Sequence, residues 1–304
     1  MNYTSFVEEI TERVREKVSE GCIVEIKPVR KNNGVMLDTI MIHRPEDLTC
    51  PNIYVNQVYE SCLNGMTMDQ AAECILQTYH SALPALQINA DQLISKSIIR
   101  DQVVYRLVNY DRNKSLLEDV PHQKILDLAR IYYVMVENEQ MGRGAIMVQD
   151  HFLEYYDISM SELDEAAAKN TPKLLPADFI RISDLLREFG EKTGACSYSE
   201  ISLEEEAYTA PLYVLTNQAR QYGAYYLTDT EVLAEISEKL DSDLFLLPSS
   251  VHECMVVPAK MWEDADELVR MVREINQEQV SRDEYLSDNV YRFSRGDLSL
   301  EIAS

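Results

Sequence analysis

The sequence lacks the short motifs from which most nucleotide-binding and hydrolase sites are built. It contains no GxGxxG, GxxxxGKS/T, HExxH or GxSxG pattern, and only 9 glycines among 304 residues. Phosphate-binding loops depend on glycine because their backbone N–H groups must approach the ligand closely. These absences argue against the common nucleotide-binding enzymes and the α/β-hydrolases.

Basic residues are also scarce. The chain has 28 basic and 52 acidic residues, a net charge of −24, and residues 151–304 alone hold 31 acidic residues against 13 basic ones. Nucleic-acid binding needs a basic surface that displaces counterions, so we predict no nucleic-acid partner. Such a charge keeps a protein soluble, but it also suits a protein that docks on a basic partner or that mimics nucleic acid.

The six cysteines form no CxxC pair and have no histidine at zinc-ligand spacing. We therefore expect reduced thiols, no metal site and no cofactor. No segment approaches the roughly 18 consecutive apolar residues that span a bilayer, and the first residues lack the basic start and apolar run of a signal peptide. These features predict a cytoplasmic protein that has no membrane partner.

The first 84 residues show clear local patterns. The stretch "CIVEIKPVRKNNGVMLDTIMIH" has two runs rich in Val and Ile around Asn33-Gly34, which predicts a β-hairpin with these two residues in the turn. The stretches "NIYVNQVYESCLNG" and "MTMDQAAECILQTYHSAL" predict two helices separated at Gly65, with Thr67 as the cap of the second. An amphipathic first helix is predicted by apolar residues at three- and four-residue spacing: Phe6, Val7, Ile10, Val14 and Val18.

The remainder mixes strands and helices. A strand is predicted from Leu128 to Val136 with a hairpin after it, and helices are predicted to dominate from His151 to Phe189. Because hairpins imply antiparallel pairs, the fold class is α+β, with a mixed, largely antiparallel sheet, β-hairpins and flanking helices. We predict two regions, 1–84 with the helix, hairpin and two helices, and 85–304 with a polar, mobile connection near 190–210.

The stretch "LLPSSVHECMVVP" places His252, Glu253 and Cys254 next to one another. We predict that "VHECMVVP" forms a strand, in which Ser250, His252 and Cys254 share one face and Glu253 points away. A nucleophilic pair of Cys254 and His252 also needs a third group to orient the base, and the sequence offers no candidate. Three interpretations stay open: a turn whose histidine bonds a buried polar partner, a catalytic or metal role for these residues, and a partner-binding loop.

Two further groups are candidate binding residues. Lys27, Arg30 and Lys31 gather near the tip of the hairpin, where they suit an anion or a partner, or serve as solvated charges that protect a strand edge. Asn217 and Arg220 lie in the tyrosine-rich stretch "YVLTNQARQYGAYYL", which suits a pocket, or core packing of tyrosines in strands.

Several longer motifs resemble one family along nearly the whole chain, from Asn2 to Phe293. They are "KNNG", "IYVNQVYE", "VVYRLVNYDRNKSLLEDVPH", "NTPKLLP", "LYVLTN", "LPSSVHECMVVP" and "LSDNVYRF". In this order they resemble an uncharacterised family from Gram-positive gut bacteria, the domain of unknown function five-six-eight-eight. The resemblance implies a cytoplasmic bacterial protein, and it implies no activity, cofactor or catalytic residue.

The sequence thus favours a non-catalytic cytoplasmic bacterial protein that acts by binding another protein, through its acidic carboxy-terminal half or through the hairpin tip. The alternative is a hydrolase or metal-dependent enzyme centred on His252. Acidic mimicry of nucleic acid is a third hypothesis, which requires that the acidic residues form a stripe.

Overall fold

The structure is a computed structural model, in which the described residues are 1–45, 50–86, 94–138, 142–185, 187, 211–262 and 264–303. The chain divides into two compact units. The first unit comprises Met1–Ile98 and Met135–Ile146, and the second comprises Ile99–Val134 and Met147–Ser304. The predicted boundary between residues 84 and 85 stays a prediction, and the predicted connection near 190–210 lies outside the described residues.

The first unit consists of three strands and three helices before residue 87. They are α1 (Tyr3–Lys17), β1 (Ile23–Arg30), β2 (Met36–His43), β3 (Ile53–Tyr54), α2 (Val55–Leu63) and α3 (Met68–Leu86). The strands form an antiparallel sheet in the order β1-β2-β3. The predicted hairpin is confirmed, since its turn places Asn33 and Gly34 at positive φ, 58° and 68°, a region that glycine and asparagine tolerate best.

Both helix caps in this unit follow from local chemistry. Asn2 caps α1, because its side-chain oxygen accepts the N–H of Ser5 at 2.9 Å. Thr67 caps α3 as predicted, with its hydroxyl accepting the N–H of Gln70 at 3.3 Å. The core lies between the helices and the sheet, and its largest members are Phe6, Ile10, Ile40, Ile42, Ile75 and Tyr79. Burying each such side chain contributes about 1.5–3 kcal/mol.

A second sheet follows in the middle of the chain. Its elements are α4 (Lys96–Gln102), β4 (Val103–Asn109), α5 (Lys114–Leu117), β5 (His122–Ile125), β6 (Leu128–Asn138) and β7 (Gly142–Met147). The strand order is β4-β6-β5, and β7 also pairs with β6. The predicted strand from Leu128 and the hairpin after it are therefore confirmed.

The faces of this second sheet differ in chemistry. Side chains of a strand alternate between the two faces, and the register of β4 against β6 places Arg106 and Tyr133 on one face. Tyr105, Arg130 and Tyr132 lie on the opposite face. Each face therefore carries one arginine among aromatic rings.

The third sheet has six strands in the order β13-β12-β10-β11-β9-β8, and the neighbouring strands are antiparallel in each of its five pairs. The elements after residue 149 are α6 (Asp150–Tyr156), α7 (Met160–Leu174), β8 (Ala177–Arg181), β9 (Tyr213–Asn217), a 3-10 helix (Gly223–Thr228), α8 (Thr230–Leu240), β10 (Leu244–Pro248), β11 (Cys254–Pro258), α9 (Ala265–Glu278), β12 (Val290–Ser294) and β13 (Ser299–Ala303). The α+β class with largely antiparallel sheets is confirmed.

The structure adds two details to the predictions for this region. Helices dominate the described residues 151–185, as predicted, but β8 interrupts them after Pro176 and pairs with β9. The stretch "GAYYLT", for which tyrosines packed in strands were one interpretation, forms a 3-10 helix. Within the described residues, no helix combines the length and apolar composition needed to cross a bilayer.

Candidate functional site

The segment from Ser249 to Glu253 is a turn, and β11 begins only at Cys254. The hydroxyl of Ser249 and the N–H of Ser250 both donate to the carbonyl oxygen of Glu253, at 3.2 and 3.3 Å. The hydroxyl of Ser250 accepts the N–H of His252 at 3.0 Å. Serine side chains compete with sheet pairing through such local bonds. The predicted strand geometry, with His252 and Cys254 on one face, is therefore wrong.

His252 holds a neighbouring loop in place. Its Nδ1 accepts the backbone N–H of Tyr222 at 3.1 Å, and its carbonyl oxygen accepts the N–H of Gly223 and the hydroxyl of Thr216, both at 2.8 Å. A ring nitrogen that accepts a hydrogen bond carries no proton, so the neutral ring is protonated at Nε2. That nitrogen lies 3.5 Å from Oε1 of Glu284. These contacts favour the interpretation that the histidine serves the turn and its buried partners.

The loop held by His252 has an unusual backbone. Tyr222 has a φ of 57°, in the left-handed region, which is costly for a residue other than glycine. The next residue, Gly223, packs closely against Thr216 and Asn217 of β9. A Cβ atom at this position would lie 2.6 Å from the backbone nitrogen of Asn217 and 2.4 Å from Oγ1 of Thr216. Only glycine fits at this position without a shift of the backbone.

Asn217 and Arg220 belong to the same loop. The buried side chain of Asn217 donates to the carbonyl oxygen of Gln221 at 2.7 Å and accepts the N–H of that residue at 3.4 Å. Arg220 is exposed and has a φ of 52°. The structure thus brings Asn217 and His252 into hydrogen bonds with one loop, an arrangement that the sequence did not predict.

The ring of Tyr222 covers Arg106 of β4. The guanidinium carbon of Arg106 lies 3.5 Å from the centroid of the Tyr222 ring and 3.7 Å from that of Tyr133. Arg106 is only 9% exposed, and its Nε has no hydrogen-bond partner in the described part of the chain. Burial lowers the pKa of Arg106 from its ordinary value, and both tyrosines oppose this effect. A buried cation is thus stacked between two aromatic rings.

Cys254 and Glu253 differ in environment. The Cys254 thiol is buried, and this burial, together with the charge of Glu253, raises its pKa. Because the thiolate is the reactive form of cysteine, such a thiol is a poor nucleophile. In the described ranges, no three His, Cys, Asp or Glu side chains are placed to hold a metal ion together. An enzyme centred on His252 stays a prediction, and none of the His252 contacts described above favours it.

The basic residues of the hairpin have partners within the first unit. Nζ of Lys27 lies 2.5 Å from Oε1 of Glu25, and Nζ of Lys31 lies 4.3 Å from the centroid of the Tyr54 ring. Arg30 also interacts with another residue of the chain. Their role as a binding site stays a prediction.

An acidic cleft in the second unit was not found by sequence reasoning. It has a volume of about 390 Å³ and is lined by Glu118, Asp119, Gln149, Asp150, His151 and Glu154. The two segments meet because the N–H of Asp150 donates to the carbonyl oxygen of Asp119 at 3.0 Å. None of the ion pairs formed among the described residues involves the four carboxylates.

Comparisons with known proteins give a family and no activity. No curated protein matches the chain. No solved structure matches it either. The model of a family of unknown function, DUF5688, matches residues 3–295, nearly the entire length. The chain therefore belongs to the family of unknown function DUF5688.

Proposed function

We propose that this protein is a non-catalytic binding protein whose acidic cleft takes a lysine- or arginine-rich segment of another protein. The observation that carries the proposal is the convergence of four exposed carboxylates, on Glu118, Asp119, Asp150 and Glu154, without a basic partner among the described residues. Like charges that gather without compensation weaken a fold. Their presence is explained if a cationic partner neutralises them.

The size of the cleft fits a segment better than a folded surface. About 390 Å³ is within the roughly 300–1,000 Å³ of pockets that bind small molecules. Such a volume accommodates one or two long basic side chains of an extended segment. Exposed ion pairs contribute only about 0.2–1 kcal/mol each, so we expect weak, salt-sensitive binding that is steered by the charge of the whole protein.

The proposal includes a cytoplasmic bacterial setting. Among the described residues, Cys22, Cys62, Cys74 and Cys254 form no disulfide bond. Unpaired thiols are typical of a reducing compartment, and the family resemblance supports a bacterial source. In this setting the His252 turn supports the fold of the second unit, and the cleft carries the binding.

The proposal is tested by fluorescence anisotropy with a labelled octalysine peptide. A cleft variant combines four neutral substitutions: Glu118→Gln, Asp119→Asn, Asp150→Asn and Glu154→Gln. A matched control removes the same charge from exposed acids of α8 and α9: Glu235→Gln, Glu238→Gln, Glu274→Gln and Glu278→Gln. Both variants lose four negative charges, so only the position of the charges differs.

We expect the cleft variant to bind the peptide at least tenfold more weakly than the wild type, and the control variant to stay within threefold. The cleft variant should melt at the temperature of the wild type or above it, because the four carboxylates form no hydrogen bond or ion pair with another described residue. Equal losses of affinity in the two variants would mean that the peptide senses only the total charge, and would contradict a docking site in the cleft.

A further inference from the structure

The second inference concerns Arg106 and does not depend on the acidic cleft. We propose that Arg106 anchors a site for an anionic oxygen group, a carboxylate or a phosphate, on a ligand of the second unit. The guanidinium is nine-tenths buried, and it carries a full charge with no carboxylate in contact among the described residues.

The stacking of Arg106 leaves one of its donors, Nε, without an acceptor among the described residues. Tyr133 and Tyr222 cover the two faces of the guanidinium, at 3.7 and 3.5 Å, and attract its charge through their π electrons. The hydroxyls of the two tyrosines also attract the guanidinium and favour its charged form. The N–H groups of a guanidinium lie in its plane, and among the described residues none accepts from the buried Nε. An anion at the edge of the guanidinium would supply the hydrogen-bond acceptor that Nε lacks.

Arg130, on the opposite face of the same sheet, also has a buried Nε without an acceptor among the described residues, but its Nη2 finds acceptors in the protein. Its Nη2 donates to the hydroxyl and the carbonyl oxygen of Thr228, at 3.1 and 3.3 Å. It also lies over the ring of Tyr105, 4.6 Å from the centroid. The two arginines therefore differ in their acceptors, because Arg130 donates to Thr228, whereas Arg106 has only the two tyrosines that stack on it as polar neighbours among the described residues.

The surroundings of Arg106 are built to keep its guanidinium in one orientation. Tyr222 holds its left-handed backbone because His252 accepts its N–H, and Gly223 packs against Thr216. Conformational strain of this kind concentrates at binding sites, where it fixes a side chain for a ligand. A fixed guanidinium presents two parallel N–H groups, which match the two oxygens of a carboxylate or phosphate.

The test is thermal unfolding in sodium chloride, sodium acetate and sodium phosphate at equal ionic strength. Three proteins are compared: the wild type, Arg106→Met and Arg112→Met. Arg112 is the matched control, because it stacks on the ring of Tyr285 at 3.4 Å but is exposed. A response to phosphate indicates a phosphoryl ligand, and a response to acetate indicates a carboxylate ligand.

We expect one of the two anions to raise the melting temperature of the wild type and of Arg112→Met by at least 2 °C above chloride, and to leave Arg106→Met unchanged. In chloride, Arg106→Met should be as stable as the wild type or more stable, since it removes an uncompensated buried charge. Equal responses of all three proteins, or no response of the wild type to either anion, would overturn the proposal.

A second variant keeps the test decisive if Arg106→Met does not fold. Arg106→Lys retains the charge and most of the stem, but it loses the planar fork that the two rings enclose. We expect it to fold and to lose the specific response to phosphate or acetate. A response equal to that of the wild type would show that a positive charge suffices, and would contradict a site built on the guanidinium.

Discussion

At the scale of single residues, Gly223 leaves no room for an added carbon atom. A Cβ atom there would lie 2.6 Å from the backbone nitrogen of Asn217. We predict that Gly223→Ala lowers the free energy of unfolding by about 1–3 kcal/mol, the usual cost of overpacking. Gly296→Ala is the control, because a Cβ atom there has no neighbour within 4 Å. Urea unfolding of both variants checks this, and equal stabilities would contradict the close packing.

The His252 turn gives a second test at this scale. His252→Ala leaves the N–H of Tyr222 without its acceptor, so we predict a loss of about 1–3 kcal/mol in the free energy of unfolding. Glu253→Ala should change it by less than about 0.5 kcal/mol, since only the carbonyl oxygen of Glu253 bonds within the turn. Thermal melting of the two variants measures the difference. A stable His252→Ala would favour a functional role for the histidine.

The residues of this turn also mark a limit of sequence-based prediction. The hairpin at Asn33-Gly34 was predictable because its turn chemistry is local. The partner of His252 was not predictable, because the N–H that it accepts belongs to Tyr222, thirty positions earlier in the chain. Pairing at that distance depends on the order and register of β9, β10 and β11, which no local pattern encodes.

At the scale of elements, Asp164 connects α7 to the second sheet. Its Oδ1 accepts the hydroxyls of Tyr105 on β4 and Tyr132 on β6, at 2.7 and 2.8 Å. Burial alone would raise the pKa of Asp164, but these two hydrogen bonds, with help from Gln123 and Arg130, outweigh it and hold the pKa below its ordinary value. One carboxylate thus fixes a helix against two strands.

The lowered pKa gives this contact a defined pH dependence. A carboxylate with a depressed pKa in the folded state stabilises the protein above its unfolded pKa of about 3.9, and this stabilisation is lost as the pH falls through the folded value. We predict that Asp164→Asn lowers the free energy of unfolding at pH 7 by about 1.5–3 kcal/mol. The gap to the wild type should narrow below about pH 4.

Urea unfolding at pH 7, 5 and 3.5 measures this gap. The control is Asp101→Asn on α4, because Asp101 is exposed and its carboxylate makes no hydrogen bond among the described residues. It should match the wild type at each pH. A gap for Asp164→Asn that stays constant or widens as the pH falls would contradict the assigned hydrogen bonds.

The elements also show why the rest of the site escaped the sequence. "GAYYLT" has the aromatic content of a strand, but the close packing of Gly223 on Thr216 bends it into a 3-10 helix. The acidic cleft joins Asp119 to Asp150 across three strands. Its only signal in the sequence is a pair of acidic residues before β5 and another in α6, which individually are typical of any exposed surface.

At the scale of the whole molecule, the charge of −24 controls how partners approach. We predict that the affinity of the octalysine peptide falls steeply between about 50 and 300 mM NaCl, because contacts between exposed charges are screened over roughly 10 Å at 0.1 M salt. The control variant on α8 and α9 should keep most of this salt dependence. The cleft variant should lose most of it. Anisotropy titrations across this range of salt show whether the peptide binds at the cleft or responds only to the total charge of the protein.

The most direct measurement of the central claim is a map of the bound peptide on the protein. Amide chemical shifts of isotope-labelled protein, recorded during a titration with unlabelled octalysine, report which residues the peptide approaches. We predict that the largest changes fall on Glu118, Asp119 and the segment 149–154. Changes spread evenly over the acidic surfaces of α8 and α9, with none concentrated at the cleft, would contradict the proposal.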